Sequence, residues 1–204
     1  MLGIIKRGAL LLVAVWRGKF IGGKIIMDSI NPNNVIKAGD TILFGKYTWR
    51  VLYVNGDNAL IITENIVELR GYHSNHHINI TWEQCELRQY LNSKFYSMFN
   101  DSERTHIMQT SVKNADNEVY GTNGGNDTVD KIFLLSLDEA ERYFKDDADR
   151  IADYDNEASY WWLRSPGRVK NIAIRVNRKG AIYPLGNFTN YHSVGVRPAL
   201  LMKL

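Results

Sequence analysis

The stretch Thr41–Thr63, TILFGKYTWRVLYVNGDNALIIT, decides the fold class. Thr41 to Gly45, Tyr47 to Val54 and Asn58 to Thr63 are runs rich in β-branched and aromatic residues, which pack well on a pleated surface. Asn55-Gly56-Asp57 separates the last two runs, and glycine there supplies the positive φ that a tight hairpin turn needs. The chain therefore enters antiparallel β structure at its first legible elements.

Downstream the period changes. Thr81-Trp82-Glu83-Gln84 reads as a capping box opening a helix. Leu87, Leu91, Phe95 and Met98 recur at helical spacing and predict one buried face. Asn92 and Ser93 mark a candidate break into two helices. Asp101-Ser102-Glu103 starts another short turn with Ile107 as its core contact. Val112 to Thr128 is polar and carries Gly121, Gly124 and Gly125, the composition of a long loop. Lys131 to Leu135 is expected to be a short buried strand, and Ser136-Leu137-Asp138-Glu139 is a second capping box, opening a helix to about Phe144. Strands are then expected at Tyr160 to Arg164, Val169 to Asn177, Ala181 to Leu185 and Val194 to Leu201, with turns at Ser165-Pro166-Gly167 and Arg178-Lys179-Gly180. Strands, two main helices, then strands again is an α+β order, not the alternation of a parallel sheet.

Composition narrows the class further. A chain of 204 residues with 45% hydrophobic and 23% charged side chains fits one globular core. The single cysteine, Cys85, excludes a disulfide framework or a multi-cysteine zinc site, and reads as a small buried residue in a helix. Net charge is +3, yet unevenly spread: Asp138 to Glu157 holds nine acids against three bases, while Ala158 to Leu204 holds eight bases and no acid. The bases alternate with apolar residues, so the expected reading is an acidic segment packed beside a basic one, with no specific nucleic-acid partner. Gly8 to Trp16 (GALLLVAVW) is too short for a span of about twenty apolar residues, and charge follows it at once. A short buried strand or helix, or an oligomer contact, is expected there, with no transmembrane segment and no targeting signal.

Five ordered motifs carry a resemblance. They are Gly39-x-x-Ile42-x-Phe44-Gly45-x-Tyr47-x-Trp49-Arg50-Val51-Leu52; Thr81-Trp82-Glu83 with Leu87-Arg88-x-x-Leu91-Asn92; Asp130 to Ser136; Trp161-Trp162-Leu163-Arg164-Ser165-Pro166-Gly167; and Gly195-Val196-Arg197-Pro198-Ala199-Leu200. Together they resemble a large bacterial and phage family of uncharacterised domains with a C-type-lectin-like fold. That family is similar to the variable ligand-binding proteins diversified by retroelements, and more distantly to the formylglycine-generating enzyme fold. The resemblance covers residues 39–204 and leaves 1–38 as an N-terminal extension, an assembly or packing segment through which the chain would form a homo-oligomer. It implies mixed and antiparallel sheets, paired terminal strands and a long-loop C-terminal region that presents the ligand surface at a virion or bacterial cell surface rather than in the cytoplasm. Trp161 and Trp162 would give one ring to the core and one to the binding edge. Arg197, ahead of Pro198, would tie strands together through its guanidinium fork.

The residues then point to a site. Asn187-Phe188-Thr189-Asn190-Tyr191-His192-Ser193 joins rings to small polar groups without charge, the chemistry of a paratope. Every residue type in it also arises by mutating adenines of asparagine codons, as the resemblance to diversified proteins would have it. The expected ligand-binding set is Trp162, Asn171, Asn177, Tyr183, Asn187, Phe188, Asn190, Tyr191 and His192, facing a protein or glycan ligand.

Other chemistry is weaker. His73, His76 and His77 sit among Gly71, Ser74, Asn75 and Asn79, a loop setting without the glutamate of a metalloprotease helix. Asn123, Asn126, Asp127 and Asp130 offer hard oxygens without an EF-hand pattern. No metal or cofactor is expected. G-x-S-x-G, Walker and dinucleotide motifs are absent, and one cysteine cannot supply the copper-binding pair of the formylglycine-generating enzyme. A non-catalytic binding protein is expected, with a structural assembly protein carrying a lectin-like decoration as the alternative.

Overall fold

A computed structural model describes residues 35–204 and, for the backbone alone, residues 19–21 and 24–26. The reading placed on Gly8–Trp16 therefore falls outside the described residues, and that on residues 1–38 as an assembly segment does so except at 19–21, 24–26 and 35–38. Two sheets carry the fold. The six-stranded sheet contains β1 (Lys19–Ile21), β2 (Lys24–Ile26), β3 (Thr41–Phe44), β4 (Tyr47–Asn55), β5 (Asn58–Thr63) and β15 (Ala199–Lys203), side by side in that order. All neighbours are antiparallel except β2 and β3. The hairpin read from the sequence is present: Asn55 pairs with Asn58, and Gly56 takes φ +56°.

The five-stranded sheet runs β13 (Asn187–Phe188), β12 (Ile172–Val176), β11 (Trp161–Pro166), β14 (Gly195–Val196) and β6 (Glu68–Leu69). Only β11 and β14 are parallel. Two small ribbons complete the β structure, β7 (Thr110–Val112) with β8 (Thr128–Asp130) and β9 (Asp153–Tyr154) with β10 (Glu157–Ala158). The α-helices are short: α1 (Glu86–Tyr90), α2 (Asp101–His106), α3 (Leu137–Tyr143) and α4 (Asp147–Arg150). The architecture is mixed α+β with mostly antiparallel sheets, as the element order implied. One apolar core joins Ile42, Trp49 and Ile61 to Leu87, Phe95, Trp161 and Ile174. No helix among the described residues is long and apolar enough to cross a membrane.

Several local expectations change. Thr81 makes no capping bond, and Trp82–Gln84 forms a 3₁₀ turn; α1 is capped instead by the Cys85 sulfur, which accepts from Arg88 N. Met98 is half exposed and Phe99 is buried in its stead. Leu91–Phe95 winds as a π turn, whose wider bonding adds a residue and moves the buried face on by one. Lys131–Leu135 is buried from Ile132 on, as read, but it keeps only one bridge, Phe133 to Ala199, and is not a strand. Asn92 takes the partner strand's place: its Oδ1 accepts from Lys131 and Ile132 N, and its Nδ2 donates to Ile132 O. Ser165 and Pro166 belong to β11 rather than to a turn, and Ala181–Leu185 keeps a single bridge, Val176 to Ile182. The capping box at Ser136 and Glu139 forms as read.

The chain crosses between the sheets twice, from β5 to β6 and from β14 to β15. The crossings lie together: Thr63 N donates to Pro198 O and Val67 N to Val196 O. Arg197 locks them. Its side chain is fully buried, its Nε donates to Thr63 O at 2.8 Å and its Nη2 to Glu64 O at 2.9 Å. The guanidinium lies 5.1 Å from the ring centres of both Phe144 and Trp161. Burial, then the nearby Arg50 charge, pulls its pKa down to about 9 against the opposing pull of Glu64 and Asp149, so it remains a cation at neutral pH. Arg50 in turn bonds Glu64 and Asp149.

Arg197→Met would keep the bulk and leave the Thr63 and Glu64 carbonyls unpaired in the core. Urea unfolding is expected to show a loss of about 3 kcal/mol or more. Arg197→Lys should recover only part of it, because an ammonium cannot reproduce the fork or the ring stacking. A loss under about 1 kcal/mol for the Met variant would show that the seam does not depend on this side chain.

Candidate functional site

The outer side of the five-stranded sheet is built from β12 outward. Ile174 and Val176 go to the core, and Arg175 between them is half buried on the opposite side, as period-two alternation dictates. The segment Tyr183–Gly186 then folds over β12. Gly186 has φ +74°, and a Cβ there would lie 2.6 Å from Ala173 O, so glycine alone permits this approach. Asn117, almost fully buried in the long polar loop, donates through Nδ2 to Pro166 O and to Pro184 O. Arg168 N donates to Leu185 O, and Gly186 N to Tyr183 O. These bonds fix one wall of a cleft of about 260 Å³ lined by Tyr160, Arg175, Asn177, Tyr183, Leu185 and Gly186.

Beside the cleft lies β13 and the loop that follows. Thr189 O accepts from both Tyr72 N (2.7 Å) and His73 N (3.0 Å), while Ile80 N donates to Lys170 O. The histidine loop is thus stitched to the C-terminal loop. His76 and His77 rings lie 3.9 Å apart, His76 is 5.7 Å from Phe188, and Phe188 is 6.5 Å from Tyr191. Glu86 sits at the same border, where Ser74 donates to it through both N and Oγ. The Ser74 side-chain bond first, opposed by some burial and aided by the charges of His73 and His192, holds its carboxyl below the ordinary range.

The structure treats the sequence-predicted residues unequally. Trp162 is a correction: it is fully buried, meets Tyr72 edge to face at 5.8 Å between ring centres and donates Nε1 to Arg70 O. β11 is covered on both faces, so neither tryptophan reaches an edge. Asn171, Asn177 and Asn187 spend amide groups on backbone: Asn171 Nδ2 on His76 O, Asn177 Oδ1 on Lys179 and Ala181 N, Asn187 Oδ1 on Phe188 N. Asn190 is half buried, and His192 is exposed beside Gly71. Tyr183, Phe188 and Tyr191 are 61%, 42% and 45% exposed. Sequence reasoning missed Tyr160, Arg175, Leu185 and His76. Alternation along β12 offered a signal for Arg175; nothing in the sequence pairs residue 72 with residue 189.

Electrostatics single out Arg175. Its guanidinium stacks 4.1 Å from the Tyr160 ring centre, with Arg178 at 5.6 Å from the same ring. Burial lowers its pKa, with Tyr160 and Tyr191 acting the other way. Among the described residues it has no carboxylate partner, unlike Arg50, Arg88, Arg150 and Arg164. The oxygen-rich loop is otherwise engaged: Asp130 accepts from Trp82, Arg88 and Thr128, and Asp127 from Asn114 N. No cluster of three His, Cys, Asp or Glu suited to a metal occurs among the described residues. The Cys85 thiol is pushed by burial up to about 12, which keeps it un-ionised at neutral pH.

Fold and face together define a two-sheet α+β domain with a braced aromatic surface around an uncompensated guanidinium. The chain belongs to the family of domains of unknown function designated DUF6273, whose pattern matches residues 56–204. β3 and β4 precede that match yet share its six-stranded sheet. No curated protein and no solved structure matches the chain.

Asn117→Ala would leave the Pro166 and Pro184 carbonyls without their donor. A loss of about 1–3 kcal/mol is expected in urea unfolding; an unchanged midpoint would show that the cleft wall stands without this brace.

Proposed function

We propose that this protein is a non-catalytic ligand-binding protein with a C-type-lectin-like domain, acting at a phage or bacterial surface, and that its C-terminal loops form the binding face. One observation carries the reading. Tyr183, Phe188 and Tyr191 stand exposed on β13 and the segments flanking it, whose backbone is bonded to neighbouring loops. Rigid rings on a fixed frame give contact area with little ordering cost on binding. The asparagines that bond to backbone shape this surface, and the rings supply its contacts. The histidine loop, bonded through Tyr72 and His73 to Thr189, widens the face beyond the C-terminal segment. The motif order over residues 39–204 supports the lectin-like reading, and the two-sheet α+β architecture is compatible with it.

The test is a screen of the full chain against arrayed glycans and bacterial surface proteins. It pairs the wild type with a Tyr183→Ala, Phe188→Ala, Tyr191→Ala variant. Because all three side chains are exposed, the variant is expected to melt near the wild type while losing at least about tenfold in affinity, as removal of central aromatic anchors does. A ligand bound equally by both proteins would place the binding face elsewhere.

A further inference from the structure

The cleft beside β12 has a chemistry more specific than that of an aromatic surface. Four observations converge there. Arg175 is half buried, with its five donors unused by any hydrogen bond or ion pair among the described residues. Tyr160 and Tyr183 bring rings to the lining, and Asn177 spends its oxygen on Lys179 N and Ala181 N, leaving its amide nitrogen to donate. The segment from Ala158 to Leu204 holds no acid, and Asp147, against which Gly180 packs, is already ion-paired with Arg150. Much of the backbone of the lining is engaged: Tyr183 O, Pro184 O and Leu185 O accept from Gly186 N, Asn117 Nδ2 and Arg168 N, and Asn177 N donates to Ala181 O.

A guanidinium removed from water without a counter-charge is unfavourable, and a ligand carboxylate would meet it with two parallel charge-assisted bonds. An extended peptide adding as a strand needs a row of free backbone groups, and the Tyr183, Pro184 and Leu185 carbonyls of this lining are already bonded. A compact ring with hydroxyls suits it better: one face lies on a tyrosine ring, and the hydroxyls meet side-chain donors. The volume of about 260 Å³ lies just below the usual range for ligand sites, which favours a single ring over a chain.

We infer that the Tyr160–Arg175–Tyr183 cleft is a subsite for a carboxylate-bearing sugar residue, with Arg175 holding the carboxylate and the two tyrosines flanking the ring. This rests on the binding reading above and names its ligand class. Arg175 sets specificity for the acid, and Asn177 contributes a hydroxyl contact.

The experiment is an NMR titration of the full chain with three probes: a glucuronate-containing disaccharide, the matching neutral glucose disaccharide, and an acetylated Asp-Glu dipeptide. The glucuronate probe is expected to shift the amides of Arg175, Asn177 and Tyr183 and to bind at least tenfold more tightly than the neutral sugar. Arg175→Gln should abolish that difference, whereas Arg175→Lys should retain part of it; unchanged amide dispersion in both variants shows that they are folded. Preference for the acidic peptide would overturn the sugar assignment. Equal binding of acidic and neutral sugars would overturn the role of Arg175. Failure of all three probes to shift the cleft, in a protein whose array ligand still depends on Phe188 and Tyr191, would overturn the subsite and leave the binding face intact.

Discussion

A cation buried without a carboxylate of its own holds the two sheets together. Arg197 stands where the chain leaves the five-stranded sheet for the six-stranded one, and its fork takes carbonyls from the other crossing, at Thr63 and Glu64. Burying such a charge is costly, and several backbone dipoles and two aromatic faces offset that cost. A hydrophobic residue could fill the volume but could not satisfy the carbonyls that two adjacent crossovers leave turned inward. The surrounding ion pairs, Arg50 with Glu64 and Asp149, extend the same lock toward α4.

The rest of the architecture follows from that seam. With the crossings fixed, β14 and β11 lie parallel in the middle of the smaller sheet, and β12 and β13 extend it outward. The histidine loop and the long polar loop then close over its second face. Arg164 anchors the inner side by bonding Lys113 O, Leu134 O and Glu139. Asn117 and Asn171 do the equivalent work further out. The acidic segment does pack beside the basic one, with Arg150 donating to Gly180 O and Arg164 paired to Glu139, so part of the basic excess is structural and internal. Arg175 is left half buried without an acid partner among the described residues.

Much of the scaffold was legible because local chemistry decides it. The Asn55–Asn58 hairpin and the Ser136 capping box depend on residues a few positions apart, and both form as read. Failures came where a distant group replaced a local partner. Lys131–Leu135 looked like a strand, but Asn92 and Arg164 take its backbone groups. Thr81 looked like a cap, but the residue that caps α1 is Cys85, four positions on. The resemblance put one of two adjacent tryptophans at a binding edge, whereas residues 70–72 cover the outer face of β11. In the face itself the rings were identified from composition, whereas the joining of the histidine loop to Thr189 spans more than a hundred residues and left no local trace.

The central claim is that the face is held in its shape before any ligand arrives. Residue-resolved amide hydrogen exchange of the free protein tests this most directly, at Tyr72, His73, Ile80 and Arg168, whose N–H groups bond across loops. The account predicts that these amides exchange far more slowly than unstructured peptide and approach the rates of β4 and β5, opening only with large-scale unfolding. Exchange at unstructured-peptide rates, while β4 and β5 remain protected, would contradict it and show that the face is ordered only when something binds.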